Sequence, residues 1–110
     1  MPKPKKGEHR ICALDDLDDG SGKSIKAGGV DLAVFRIGEE VFAIKNACGH
    51  KGEALHDGSL DATKKTIRCR WHYHAFDLAS GKNAGKKRTR VASYPVEIRE
   101  GEVFARLKDD

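Results

Sequence analysis

The chain has 110 residues, of which 38% are hydrophobic and 35% are charged, and its formal net charge at pH 7 is +4. This length allows one domain with a modest hydrophobic core. The excess of basic over acidic residues is concentrated in residues 1–7 and 82–90, in short runs without interleaved aromatic side chains, so we expect no nucleic-acid partner. No run approaches the ~18 apolar residues that a membrane span needs, so we expect no membrane partner.

The cysteines and the N-terminal residues bear on the cellular compartment. Three cysteines are too few for a disulfide framework, and no apolar segment of a secretory signal follows the basic N-terminus. We therefore expect a cytoplasmic protein with reduced thiols. Cys12 stands among apolar neighbours and is predicted to be a buried, unreactive thiol. Residues 1–9 are predicted to form a disordered basic tail.

Turn signals at short intervals divide the rest of the chain into short strands. Two hairpins are predicted, with strands at residues 30–36 and 41–45 and at residues 96–99 and 103–107. Shorter strands are predicted at residues 10–14, 24–27, 66–68 and 75–78, together with one helical turn within residues 13–18. This pattern predicts an all-β sandwich or barrel, formed by one domain over residues 10–108.

Two short Cys/His pairs, Cys48-Gly-His50 and Cys69-Arg-Trp-His72, stand in polar, glycine-containing surroundings that are typical of loops. Two thiolates and two imidazoles delivered by two loops predict a metal site with four ligands. Zinc-finger sites usually pair Cys with Cys and His with His, whereas each loop here supplies one of each. A zinc-stabilised interaction module is therefore an alternative that the spacing disfavours.

The residues around both pairs carry a resemblance to a known family. Residues 48–60, CGHKGEALHDGSL, resemble the first cluster loop of Rieske [2Fe–2S] proteins, C-P-H-x-G-x-x-L-x-x-G. Residues 69–81, CRWHYHAFDLASG, resemble their second loop, C-P-x-H-G-x-x-F-D-x-x-T-G. The similarity extends over residues 10–107 and is strong to the Rieske ferredoxins that serve ring-hydroxylating dioxygenases. The chain is also similar to the small subunit of assimilatory nitrite reductase.

The resemblance implies that Cys48 and Cys69 hold one iron of a [2Fe–2S] cluster and that His50 and His72 hold the other. It implies a small Rieske-type β-sandwich or barrel in which two loops form a cluster-binding subdomain. The protein would then be a one-electron carrier and not an enzyme, passing electrons from a ferredoxin reductase to a terminal oxygenase or another redox enzyme. In the alternative, it would be a Rieske subunit bound to the large subunit of a reductase such as nitrite reductase. We expect the free protein to be a monomer.

The cluster loops depart from the family pattern at several positions. Gly49 and Arg70 replace the proline that usually follows each cysteine, and Tyr73 replaces a glycine. Residues 83–87 replace a proline-bearing third loop. These departures affect the expected loop geometry and reduction potential and leave the ligand set unchanged.

Three further positions separate the chain from the high-potential branch of the family. Glu53 and Trp71 stand where that branch has two disulfide-forming cysteines, and His74 stands where it has a hydroxyl donor to the cluster. Fewer hydrogen bonds to the sulfurs stabilise the reduced cluster less, so we predict a potential toward the lower end of roughly −150 to +300 mV.

Residues beside the ligands are predicted to meet the partner. Lys51, Tyr73 and His74 are candidate contacts, and the basic run 82–90 is predicted to steer an acidic partner. The remaining predictions are a shielding position over the cluster for Trp71, a solvated loop for His56, core positions for Phe76 and Leu78, and a turn-fixing hydrogen bond for Asp77.

Overall fold

A computed structural model describes residues 3–46, 55–68, 75–82 and 91–107. Within these ranges the chain forms short antiparallel strands and one 3-10 helix, Leu14–Asp16. The strands are β1 Glu8–Ala13, β2 Ser21–Ala27, β3 Val30–Ile37, β4 Glu40–Lys45, β5 Ser59–Asp61, β6 Thr66–Arg68, β7 Ala75–Asp77, β8 Ser93–Tyr94, β9 Val96–Arg99 and β10 Glu102–Arg106.

The strands form three sheets. The central sheet has the order β2-β3-β4-β8, the second β1-β10-β9, and the third, a small one, β5-β6-β7. The β3–β4 hairpin pairs Leu32 with Lys45 at its open end and Ile37 with Glu40 at its turn. This nearly all-β arrangement confirms the predicted fold class.

Strand β3 of the central sheet is buried on both faces, because its apolar side chains alternate between two cores. Leu32 and Val34 pack in a core with Cys12, Val103 and Ala105, which belong to the β1-β10-β9 sheet. On the opposite face, Ala33 and Phe35 pack in a second core. Its other fully or nearly fully buried members are Ile44, Leu55, Ile67, Phe76, Leu78 and Val91.

The burial of these side chains accounts for the order of the layers. Fully burying an aliphatic or aromatic side chain contributes about 1.5–3 kcal/mol. Residues 32–35 form an unbroken apolar run, and such a run is typical of a strand covered on both faces. The small β5-β6-β7 sheet is therefore held against one face of the central sheet, away from β1, β9 and β10.

The second predicted hairpin, β9–β10, turns at Glu100 and Gly101. Both residues have positive φ, 50° and 75°. Consecutive left-handed residues form the hairpin turn that matches the right-handed twist of the flanking strands. Both predicted hairpins and the predicted helical turn are therefore confirmed.

Several boundaries differ from the prediction. Strand β1 begins at Glu8, so Glu8 and His9 belong to a strand and not to the predicted tail of residues 1–9. The Glu8 carboxylate accepts hydrogen bonds from the Lys5 backbone N–H (2.8 Å) and from the Arg99 guanidinium (2.8 Å), and these bonds fix the start of the strand. Strand β2 begins at Ser21, three residues earlier than predicted. The bounds of the domain itself stay a prediction.

The structure also bears on the predictions for Cys12 and for a membrane span. Cys12 is buried in the core as predicted, and burial raises the pKa of its thiol to about 11. Among the described residues, no helix is long and apolar enough to cross a membrane.

Candidate metal centre

The four predicted ligands, Cys48, His50, Cys69 and His72, lie outside the described residues. The predicted contacts Lys51, Tyr73 and His74 also lie outside them, as do Trp71 and residues 83–90. The structure does describe both ends of each chain segment that carries a ligand pair. The ends of those segments therefore define the base of the predicted site.

The first ligand-bearing segment, residues 47–54, is closed at its base by one side chain. Strand β4 ends at Lys45, and Asn46 follows it with 6% of its surface exposed. The Asn46 Oδ1 atom accepts the backbone N–H of Leu55 at 2.8 Å and that of His56 at 3.0 Å. Both donors lie just beyond the segment, so Asn46 joins its two ends.

Asn46 is in turn fixed to the β2–β3 hairpin. Its backbone N–H donates to the Asp31 carbonyl at 2.8 Å, and its Nδ2 donates to Ser24 Oγ at 3.2 Å. The Ser24 hydroxyl donates to Asp31 Oδ1 at 3.0 Å. The residue that closes the first segment is therefore anchored on two strands of the central sheet.

His56 also contacts the Asn46 side chain. Its Nδ1 lies 3.0 Å from Asn46 Nδ2, which donates there when the ring proton of the neutral imidazole is on Nε2. The ring is partly buried. His56 thus lies in a turn, as predicted, and stays partly exposed, but the prediction missed the partner that the Asn46 amide supplies at close range.

The second ligand-bearing segment, residues 69–74, is closed by backbone pairing. Strands β6 and β7 are antiparallel, with Arg68 opposite Ala75 at the ends that adjoin the segment. Ile67 and Phe76 face each other one step further and are fully buried, which confirms the core position predicted for Phe76. This base is a short hairpin that any side chains of suitable shape can form.

The return of the first segment lies against the start of the second. Gly58 donates its backbone N–H to the Leu55 carbonyl at 3.0 Å, and Ser59 of β5 pairs with Arg68 of β6. A Cβ atom built on Gly58 would overlap the Arg68 carbonyl oxygen. Leu55 is fully buried in the same core as Ile67. The first segment therefore ends, and the second starts and ends, at the same end of the small sheet.

The third segment outside the description, residues 83–90, also has a closed base. Val91 donates its N–H to the Gly81 carbonyl at 2.8 Å, and Asp77 donates its N–H to the Lys82 carbonyl at 2.8 Å. The Asp77 carboxylate accepts from the Ser80 hydroxyl at 2.8 Å, which confirms its predicted role in the turn. Both ends of this segment therefore lie beside β7.

The donor chemistry fits a mixed-ligand iron–sulfur cluster. Among the described residues, no group of three or more His, Cys, Asp or Glu side chains is arranged to hold a metal ion. The two Cys and two His predicted as ligands on the adjoining segments would supply two thiolates and two imidazoles, the ligand set of a Rieske centre. The sequence reasoning missed Asn46, whose only signal was an asparagine directly after an apolar strand and two residues before a predicted ligand.

Comparison with known proteins gives matches over nearly the whole chain. A protein-family model described as Rieske [2Fe-2S] domain matches residues 7–95. Ferredoxin CarAc of Metapseudomonas resinovorans is 32% identical over 97 residues, which cover 86% of this chain and 89% of the relative.

Solved structures share the fold over nearly the whole chain. The ferredoxin of carbazole 1,9a-dioxygenase from Nocardioides aromaticivorans IC177 is 28% identical, with a TM-score of 0.86 and coverage of 92% of this chain and 98% of that one. A ferredoxin in a complex with the oxygenase of carbazole 1,9a-dioxygenase is 29% identical, with a TM-score of 0.82 and coverage of 96% and 98%.

A nitrite reductase small subunit, the role named as the alternative, has the same fold, and at its low sequence identity the similarity shows no more than the fold. The putative NADH-dependent nitrite reductase small subunit from Mycobacterium tuberculosis is 24% identical, with a TM-score of 0.81 and coverage of 89% of this chain and 92% of that one.

Proposed function

Because this chain belongs to the Rieske [2Fe–2S] domain family, we propose that it is a one-electron carrier that passes electrons from a reductase to an oxygenase or another redox enzyme. It is an electron-transfer component and carries out no substrate reaction of its own. The relatives named as ferredoxins of dioxygenase systems support this proposal.

The proposed ligand set is Cys48 and Cys69 on one iron and His50 and His72 on the other. The supporting observation is the shared end of the small sheet, where Gly58 lies against the Arg68 carbonyl and Ser59 pairs with Arg68. Two thiolates balance the charge of an oxidised [2Fe–2S] core, so the site is formally neutral before reduction and −1 after it. A neutral site accepts an electron more readily than one with four thiolates, and the cluster supplies this one-electron chemistry when bound.

The ligand set is tested on the purified protein by iron and acid-labile sulfide analysis with visible and EPR spectra. We expect a red-brown protein with equal molar amounts of iron and sulfide and an EPR signal on reduction. Cys48→Ser and His72→Ala should abolish or alter the signal. Cys12→Ala removes the buried core thiol and should retain the EPR signal. A colourless protein that contains zinc and no sulfide would establish the interaction-module alternative instead.

The finer identity of the partners belongs to the same proposal. We propose a ferredoxin reductase as donor and a terminal oxygenase as acceptor, a monomeric free protein, and a cytoplasmic location that keeps the thiols reduced. A ferredoxin similar to this chain is known in a complex with its oxygenase, which supports an oxygenase as acceptor. Purification from its own cells only with a large reductase subunit would instead establish the small-subunit alternative.

A further inference from the structure

We propose that Asn46 is a positioning residue for the first cluster loop, acting through the backbone amides of Leu55 and His56. This inference rests on the proposed function, because it concerns the loop that carries Cys48 and His50. The observation that supports it is the position of the buried Asn46 side chain, directly after the end of β4. Its Oδ1 atom accepts hydrogen bonds from the backbone N–H groups of Leu55 and His56, which follow the loop.

A side chain is needed at this point because the backbone ladder does not close the first loop. Strand β4 pairs with β3 and β8, and the Lys45 N–H donates to the Ala92 carbonyl at 2.9 Å. Leu55 and His56 belong to no strand, so their N–H groups have no ladder partner. A buried N–H group without an acceptor costs about 1–3 kcal/mol, and Asn46 supplies an acceptor for two of them.

The amide orientation follows from its neighbours. Two backbone donors face one side-chain atom of Asn46, so that atom is the oxygen, and the nitrogen faces Ser24 and His56. Each polar atom of the amide is thus used, and the side chain has one orientation that satisfies its neighbours. Such a fully bonded group can hold the loop ends in a single arrangement.

Leu55 makes this arrangement specific to the cluster loop. Its side chain is fully buried in the core with Ile67 and Phe76, which form the base of the second loop. The N–H of the same residue is the shorter of the two bonds to Asn46, at 2.8 Å. Asn46 therefore links the start of the first loop to the base of the second, and its loss should alter the relative placement of the two ligand pairs.

The test uses four variants of the full chain, each purified with its cluster. Asn46→Ala removes the acceptor. Asn46→Asp keeps an acceptor for both N–H groups and removes the donor. His56→Ala removes the ring contact and keeps the backbone N–H. Val103→Ala lies in the other core and controls for a general loss of stability. The measurements are the thermal midpoint, the rate of cluster loss in EDTA followed by visible absorption, the EPR g-values and the midpoint potential.

We expect Asn46→Ala to lose its cluster about 10-fold faster, in line with the roughly 10–100-fold loss of metal affinity on removal of a group that orients a ligand, and to show shifted g-values. Asn46→Asp should restore the slow loss, and its added negative charge should lower the midpoint potential. His56→Ala should stay near the wild-type rate. Val103→Ala should lower the thermal midpoint and leave the g-values unchanged.

The inference is overturned if Asn46→Ala keeps wild-type g-values and loses its cluster no faster than Val103→Ala. It is also overturned if Asn46→Asp behaves like Asn46→Ala. If Asn46→Ala does not fold, Asn46→Leu, which has nearly the same shape and no acceptor, takes its place under the same criteria. A wild-type protein without acid-labile sulfide would overturn the proposed function as well, and so the two failures are distinguishable.

Discussion

The two segments that carry the proposed ligands start from bases of different construction. The second segment grows out of a β-hairpin, in which Arg68 and Ala75 pair through their backbones. The first leaves the end of a central strand and returns to a turn, and its ends are joined by the side chain of Asn46. Backbone pairing tolerates many sequences, whereas a side-chain bridge depends on one amide. The comparison indicates that the first loop is the more sensitive of the two to a single polar substitution.

The largest expected effect comes from removing a core side chain beneath the β6–β7 hairpin, the base of the second segment. Phe76→Ala should destabilise the protein by about 3–5 kcal/mol, because it leaves a cavity where a fully buried ring stood. Phe104→Ala removes an equally buried ring from β10, in the sheet that packs on the opposite face. Denaturant unfolding should give similar losses for both variants, while cluster loss in EDTA should accelerate more for Phe76→Ala. Equal acceleration would show that the second base has no special role. Phe76→Leu and Phe104→Leu serve if the alanine variants do not fold.

A smaller effect is expected where the two bases touch. Gly58→Ala places a Cβ atom on the Arg68 carbonyl oxygen, a backbone atom that cannot swing aside. We expect a destabilisation of about 1–3 kcal/mol together with altered EPR g-values, because the return of the first loop must move from the start of the second. Gly101→Ala is the control, since it strains a left-handed turn residue with open space around it, in the β9–β10 hairpin of the other sheet. Unchanged g-values in Gly58→Ala would separate this contact from the cluster.

Acid should weaken a region remote from both bases. The Arg99 guanidinium and the Lys5 backbone N–H hold the pKa of the Glu8 carboxyl at about 2, below its ordinary value of 4.5. The stability from this carboxylate is therefore fully present above pH 4.5 and is lost as the pH falls towards 2. In urea titrations, Glu8→Gln should flatten this part of the pH profile, and the EPR g-values at neutral pH should stay unchanged. A profile with the wild-type slope would contradict the assignment.

The smallest expected effect concerns approach to the loops, not their geometry. If the basic run 82–90 steers acidic partners, oxidation of the reduced protein by the anion ferricyanide should slow as salt is raised from low to physiological ionic strength. Lys86→Glu with Lys87→Glu should weaken that dependence. Lys23→Glu with Lys26→Glu makes the same charge change on exposed residues of β2 and should weaken it less. A rate independent of salt would remove the steering role.

Much of this architecture could be predicted from local sequence. The apolar run of β3 and the Glu100-Gly101 turn specify their hairpins through side-chain alternation and turn chemistry, and the confirmed core positions of Cys12 and Phe76 follow from the same pattern. The proposed ligands came from spacing and resemblance and stay a prediction.

Other features depend on residues distant in the chain. Strands β5 and β8 contain three and two residues, too few to show a period. The start of β1 depends on the Glu8–Arg99 ion pair, whose members are 91 positions apart. The role of Asn46 could not be predicted from its neighbours in sequence. The two backbone N–H groups that donate to it lie nine and ten residues further along the chain.

The alternation of side chains along β3 bears on how the molecule melts. Since Leu32 and Val34 serve one core while Ala33 and Phe35 serve the other, this strand cannot detach from either layer without exposing both. Heat should therefore disrupt the whole fold in one concerted step, and a calorimeter should record a single endotherm. In such a protein the small β5-β6-β7 sheet has no separate melting transition, because Phe35 of β3 shares a core with Ile67 and Phe76.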